Sequence, residues 1–186
     1  MIKEKKKKKK IGIVIKQDIS ENLAKIVYLA IGSNLGDRKY NIEKVKFDLK
    51  KNCIQILKCS NDYESDSWPD PTKPKFINII IKIKTKLSPL NLLKICHSIE
   101  SSLGRKRSKK NAPRTCDIDI IDYDKKILNF KENSLTLPHT EMCKRNFVLL
   151  PLFEINQSWK HPVSKKNIIK LINSLPIEDL RSIKKI

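Results

Sequence analysis

Asp117 and Asp119 stand one residue apart in Asp117-Ile118-Asp119-Ile120. On an extended strand, period-two alternation puts both carboxylates on one face and both isoleucines on the other. Two carboxylates that close repel, and burial raises at least one of them unless a cation lies between. Hard oxygen donors at this spacing suit Mg²⁺, which keeps several waters and is usually completed by substrate phosphates. A bare Asp-x-Asp is ordinarily a solvated strand face. Here Pro113-Arg114 leads directly into the pair, and Arg105 and Arg107 lie just upstream. Acid and base converging on one short segment are what a metal–phosphate site requires.

Other candidate groups are spread along the chain. His97 and Glu100 are three apart on an expected helix and so share a face, which ends at Gly104. His139 follows Leu137-Pro138 in an expected loop, with Arg145 six residues beyond. Phe76 and Asn78 share one face of an expected strand, and Phe147 follows Arg145. Two aromatic rings could clamp a flat ring while Asn78 reads its edge. Each of these residues taken singly is as well explained by core packing or a polar surface. Trp159 and His161 have no motif around them and receive no role.

The elements that must position these groups can be read in order. Residues 26–31 form a short apolar run closed by Gly32-Ser33-Asn34-Leu35-Gly36, a buried strand and tight loop. An amphipathic helix over 37–51 follows, with Ile42, Val45 and Leu49 on one side. A second strand is expected over 54–63. Pro69, Pro71 and Pro74 make 64–75 a rigidified loop. A third strand spans 76–85. Ser88 and Pro89 start a second helix, which Gly104 ends. A fourth strand runs from 115 to 123, and 126–130 is expected to pair behind it. Residues 135–145 read as loop, 147–155 as helix, and about 165–175 as a final helix. The order β-α-β-β-α-β is that of an α+β, ferredoxin-like sandwich: an antiparallel four-stranded sheet with two helices on one face, plus C-terminal extra elements.

Composition bounds the answer. The chain has 186 residues and a formal charge of +20, made of 34 Lys and six Arg against 20 acidic residues. That length suits one domain, read as 26–186, preceded by a basic and flexible extension over 1–25 that contains an unbroken Lys5–Lys10 run. A content of 39% hydrophobic residues is enough to bury a core. No apolar run approaches the ~18 residues of a membrane span, so no membrane association is expected. Cys53, Cys59, Cys96, Cys116 and Cys143 are odd in number and form no Cys-x-x-Cys pair, which fits reduced thiols in the cytoplasm. A charge of +20 attracts polyanions, but a background rich in Lys fills wet faces without selecting a partner. Against that background the scarce Arg are expected where a planar bidentate donor is needed.

Several segments together resemble the 6-hydroxymethyl-7,8-dihydropterin pyrophosphokinases. They are Tyr28-Leu-Ala-Ile-Gly-Ser-Asn-Leu-Gly-Asp-Arg38, Phe76-Ile-Asn78, Glu100-x3-Gly-Arg-x-Arg107, Pro113-Arg-Thr-x-Asp-x-Asp119, and Leu137-Pro-His-x-x-Met-x-x-Arg-x-Phe147 running on to Ile155. The resemblance implies the same ferredoxin-like fold and transfer of diphosphate from ATP to the pterin hydroxymethyl oxygen, releasing AMP. It implies two Mg²⁺ held by Asp117 and Asp119. It casts Arg107 and Arg114 with the two Asp as catalytic residues. The same positions, with His97, Glu100, Arg105, His139 and Arg145, would contact ATP, while the backbone around Ile120 and Thr136 would meet adenine and ribose. The pterin would stack between Phe76 and Phe147, with Asn78 on its polar edge and the loop from Ser65 through Asp66 to Trp68 closing the pocket. The partners implied are these two small molecules, bound by a monomer, with no specific nucleic acid. The 106–112 loop departs from the family pattern: it is Lys-rich and lacks a Trp often found there. The alternative is a ferredoxin-like RNA-binding module, which would read bases with aromatics exposed on its sheet.

Overall fold

The computed structural model describes residues 23–67, 70–105 and 112–186. The expected extension therefore falls outside the described residues up to 22, and so do Trp68 and Arg107.

Strand β1 (Lys25–Ser33) is an inner strand of the sheet. Its inward positions are apolar on both faces, as a strand covered on both sides requires. It begins at Lys25, one residue inside the span expected to be extension. Asp37 then caps helix α1 (Arg38–Lys51), its Oδ1 accepting from Tyr40 N at 3.0 Å. The strand expected over 54–63 is two pieces, β2 (Gln55–Cys59) and β3 (Tyr63–Ser65). Strand β4 (Phe76–Thr85) pairs with both of them and with β1, all antiparallel. Ser88 caps helix α2 (Pro89–Ser102), and Gly104 follows with φ +78°, a conformation that favours glycine. Strand β5 (Asp117–Tyr123) pairs with the other side of β1. The order β5-β1-β4-β2/β3 is the antiparallel sheet of the ferredoxin-like arrangement.

Helices α1 and α2 cover one face. Ile42, Val45, Leu49, Leu92, Cys96 and Ile99 pack there on Leu29, Ile31, Ile79, Ile81, Ile83, Ile118 and Ile120. The opposite face is covered by α3 (Asn146–Ile155) and α4 (Ile168–Ile172), which bury Tyr28, Ile80 and Ile121 together with Trp159.

The tail of the chain departs from expectation. The segment expected behind β5 instead forms β6 (Leu128–Phe130), which pairs with β7 (Leu135–Leu137) as a separate two-stranded ribbon, so part of the expected 135–145 loop is strand. The helix expected over about 165–175 is only α4, because Asn173 and the Ser174-Leu175-Pro176 turn end it early. Helix α5 (Ile177–Arg181) and strand β8 (Ile183–Lys185) follow, and β8 extends the main sheet by pairing with β3.

Trp159 ties this second layer to the sheet. Its Nε1 donates to Asp122 Oδ2 at 2.8 Å, and Lys125 N donates to Oδ1 at 2.8 Å. Asp122 is 1% exposed, and burial pushes its carboxyl upward. Trp159→Phe keeps an aromatic ring there, but it removes the pyrrole part of the indole and leaves that oxygen short of a donor. We expect a loss of about 1–3 kcal/mol in urea unfolding; unchanged stability would mean the bond contributes only packing.

Candidate active site

The cleft lies at the end of the sheet's α3 face. Three strands meet at its floor: Gly32 of β1 pairs with Asn78 of β4 and with Asp117 of β5, and Ala30 pairs with Asp119. A Cβ on Gly32 would lie 3.0 Å from Asn78 Oδ1 and 3.4 Å from the Phe76 ring, so the absence of a side chain is what lets these groups close on the floor. The cavity measures about 760 Å³, enough for more than one small ligand.

Its electrostatics centre on the two aspartates. Asp117 lies between two guanidiniums: Arg105 at 2.5 Å on Oδ1 and Arg114 Nη2 at 2.5 Å on Oδ2. Asp119 meets Arg145 at 3.2 Å and His139 Nε2 at 3.7 Å. Asp119 keeps 35% of its side-chain surface open, toward the cleft rather than bulk solvent. Burial and then the Asp117 carboxylate push Asp119 upward, while burial pushes the His139 imidazole downward, toward its neutral form. Arg105 also pairs with Glu100. Burial opposes the charge on Arg105, but Asp117 and Glu100 outweigh it and hold the group above its ordinary value.

Glu100 is 3% exposed and closes the open edge of β5, its Oε1 accepting from Ile118 N at 2.8 Å. A second edge group is used nearby, where His139 N donates to Ile121 O at 3.0 Å. Since Ile118 turns its N–H outward, alternation turns the Ile120 N–H and C=O outward too, along the cleft wall. Two aromatic rings face guanidiniums: Arg114 lies 5.1 Å from the Phe76 centroid and Arg145 lies 5.8 Å from that of Phe147. Asn78 Nδ2 is held by Ser65 Oγ at 2.9 Å.

Every described residue singled out from the sequence lines this one cleft: Ser65, Asp66, Phe76, Asn78, His97, Glu100, Arg105, Arg114, Asp117, Asp119, Ile120, Thr136, His139, Arg145 and Phe147. Arg38 does not join them. Its Nη1 donates to Glu64 Oε1 at 3.0 Å and Lys75 O at 2.9 Å, which fastens the 64–75 loop instead. Sequence reasoning passed over Glu132, Asn133 and Ser134 at the rim, which the β6–β7 turn presents. It also passed over Asn34, whose Oδ1 accepts from Arg114 N at 2.8 Å while its Nδ2 donates to Pro74 O at 3.0 Å and Ser67 Oγ at 3.3 Å. The signal for Asn34 was the Gly-Ser-Asn run closing an apolar strand, a run of short polar groups positioned to bond backbone.

The donor set fits anions and a hard cation. Arg114 Nε and Arg145 Nε are buried with no hydrogen-bond partner among the described residues, so they offer donors to a ligand's oxygens. Among the described residues no cluster of three or more His, Cys, Asp or Glu could hold a metal. Two carboxylates alone suit a Mg²⁺ whose other ligands are water and phosphate.

The fold is thus an α+β sandwich whose cleft sets paired carboxylates among arginines, beside two aromatic rings. The family model for 7,8-dihydro-6-hydroxymethylpterin-pyrophosphokinase matches residues 28–157, and the chain belongs to that family. The 2-amino-4-hydroxy-6-hydroxymethyldihydropteridine pyrophosphokinase of Bacillus subtilis is 38% identical over 133 residues, 71% of this chain and 78% of that protein. The Folic acid synthesis protein fol1 of Schizosaccharomyces pombe is 35% identical over 84% of this chain, which spans only 21% of that protein's length. Wild-type Plasmodium falciparum HPPK-DHPS shares the fold, with a TM-score of 0.62 at 16% identity over 82% of this chain and 45% of that one.

Burial pushes the Glu100 carboxyl from 4.5 up to about 7, the Arg105 charge and the Ile118 N–H only partly offsetting it. Its folded value lies above its unfolded one, so the folded chain takes up a proton between them that the unfolded chain does not. That contribution to stability is complete below 4.5 and is lost as pH rises through about 7. Glu100→Gln should flatten this part of a stability-against-pH profile; an unaltered profile would remove Glu100 as its source.

Proposed function

We propose that this chain transfers a diphosphate group from ATP to the hydroxymethyl oxygen of 6-hydroxymethyl-7,8-dihydropterin, releasing AMP. The observation that carries the reading is the convergence of Asp117 and Asp119 with Arg105, Arg114, Arg145 and His139 on one cleft wall, beside Phe76, Asn78 and Phe147. The hydroxyl oxygen attacks the β-phosphorus. The bond from that phosphorus to the oxygen bridging it to the α-phosphorus breaks, AMP leaves with that oxygen, and the hydroxyl proton is lost to solvent or a nearby base.

The chain's own groups divide the work. Arg105, Arg114 and Arg145 hold phosphate oxygens, the guanidinium fork of each giving both charge and direction. The resemblance assigns a further phosphate contact to Arg107, which lies outside the described residues. Neutral His139 donates or accepts one hydrogen bond without adding charge. His97 and Glu100 line the nucleotide end from α2, and the outward Ile120 backbone with Thr136 meets the base and sugar. The pterin ring stacks between Phe76 and Phe147. Because Ser65 holds the Asn78 Nδ2, the Asn78 Oδ1 is left to accept from the pterin's polar edge. Asp66 lines the same cleft, and the resemblance assigns Trp68, outside the described residues, to the pterin as well. Asp117 and Asp119 would hold two Mg²⁺, which when bound supply charge neutralisation on the triphosphate. Excluding water while aligning oxygen and phosphorus accounts for most of what such a site must do.

We read the working unit as a monomer in the cytoplasm, with one pyrophosphokinase domain over 26–186 and a basic stretch over 1–25. No helix among the described residues is long and apolar enough to cross a membrane. The RNA-binding alternative needs an open sheet face with exposed aromatics. Here α3 and α4 cover that face and Tyr28 on it is 5% exposed.

The test is AMP release with ATP, Mg²⁺ and the pterin. Asp117→Asn or Asp119→Asn should cut turnover at least about a hundredfold while the melting temperature holds. Near-normal transfer by either would remove that residue from the mechanism. Arg114 also faces Phe76 and bonds the Ala112 carbonyl at 3.1 Å. Arg114→Lys keeps the charge and loses the planar fork, so roughly tenfold weaker use of ATP is expected. An unchanged KM and kcat would mean that charge alone suffices there.

A further inference from the structure

We propose that Asn146, with the 176–185 segment it holds, is a positioning brace that sets the width of the ring slot between the Phe147 wall and the Ser65–Asn78 wall. The inference rests on the pterin reading above. Most of the brace lies beyond the residues matched by the family model, which end at 157.

Asn146 opens α3 between Arg145, which pairs with Asp119, and Phe147, which lines the cleft. It is 8% exposed, and both ends of its amide are used. Oδ1 accepts from Phe147 N at 2.6 Å. Nδ2 donates to the Asp179 carbonyl and to Ser182 Oγ, the latter at 3.2 Å. Ser182 Oγ in turn donates to the same Asp179 carbonyl at 2.9 Å. One side chain thus joins the backbone of the aromatic wall to the corner between α5 and β8.

Beyond that corner β8 runs along β3, with Ile183 opposite Ser65 and Lys185 opposite Tyr63. Ser65 is the residue whose Oγ takes the Asn78 Nδ2. A second tie closes the loop at the far end of α3. Glu154 accepts from Tyr63 OH at 2.9 Å and pairs with Lys185 at 3.7 Å. The two walls belong to different elements, α3 and β3–β4, and 176–185 is fastened to both. Asn146 is the buried member of this network and Ser182 its exposed end; a hydrogen-bond network anchored on a buried, fully used side chain favours one geometry over several. A slot for a flat ring depends on that geometry to within fractions of an ångström. Among the described residues, Arg105 and Asp117 on the phosphate side are not fastened to this segment, and Arg145, although it adjoins Asn146, is held by Asp119 of β5, so the brace bears on the pterin more than on ATP.

The experiment compares steady-state kinetics of the wild type, Asn146→Asp, Asn146→Ala and Ser182→Ala, with ATP and 6-hydroxymethyl-7,8-dihydropterin varied separately. Asn146→Asp keeps the acceptor for Phe147 N and loses the donor to Asp179 and Ser182. We expect KM for the pterin to rise about tenfold in Asn146→Asp, at least as much in Asn146→Ala, and less in Ser182→Ala. KM for ATP should stay within about twofold. Trp159→Phe is the control: it loosens α3 and α4 elsewhere and should leave the pterin-to-ATP ratio of KM values unchanged. Should Asn146→Ala fail to fold, Asn146→Asp and Ser182→Ala carry the comparison. An unchanged pterin KM in Asn146→Asp overturns the brace, as does an equal loss for both substrates. A wild type that releases no pterin-dependent AMP overturns the functional reading instead, so the two failures are distinguishable.

Discussion

Gly32 pairs with Asn78 on one side and Asp117 on the other, and a Cβ there would reach Asn78 Oδ1 at 3.0 Å. Everything at the cleft floor depends on that missing side chain. The ring-facing residues come from β4 and the acidic residues from β5, and only the central strand between them sets their separation. With a side chain at position 32, Asn78 and Phe76 would be displaced, and the aromatic wall would no longer stand over the carboxylates. The pairing with β4 is long and regular, β1 being matched over nine residues, so the floor is rigid where the chemistry needs it.

Charge is the second constraint. Glu100, Asp117 and Asp119 are set against Arg105, Arg114 and Arg145, so the interior of the cleft is nearly balanced despite a chain charge of +20. Three guanidiniums crowded together would repel, and three carboxylates would do the same. Interleaving them makes each buried charge a partner of another, which lowers the cost of burying any one of them. The same interleaving leaves Arg114 Nε and Arg145 Nε without an acceptor among the described residues.

Much of this was legible in the residues. Period-two alternation placed Asp117 and Asp119 on one face, and Phe76 with Asn78 likewise. Ser88-Pro89 and Gly104 bounded α2. Asp122 was not legible, because strict alternation puts it with Ile118 and Ile120. The register shifts where Tyr28 meets Asp122 and Leu29 meets Ile120, and the extra residue turns Ile121 and Asp122 both toward Trp159. A bulge of this kind leaves no mark in a hydrophobicity pattern. The β6–β7 ribbon escaped for a related reason: its strands have three residues each, too short for a period to register. The scarcity of Arg was informative at positions 105, 114 and 145 and misleading at Arg38, where the planar donor serves a loop carbonyl and Glu64. The C-terminal strand was invisible because three residues, two of them Lys, carry no apolar signal.

That short strand changes how the molecule meets its neighbours. A sheet presents unpaired N–H and C=O groups along each outer edge, and another chain can add to such a row. Here β5 carries Glu100 on its Ile118 N–H and His139 on its Ile121 carbonyl, so that side is closed by groups already in use. The other side ends in β8, where Lys184 and Lys185 are both exposed. A strand approaching from outside would have to bring its backbone against two ammonium groups on a chain already at +20. Self-association through sheet extension is thereby opposed along β5 and along β8, leaving β2, which among the described residues pairs only with β4, as the edge open to a neighbour.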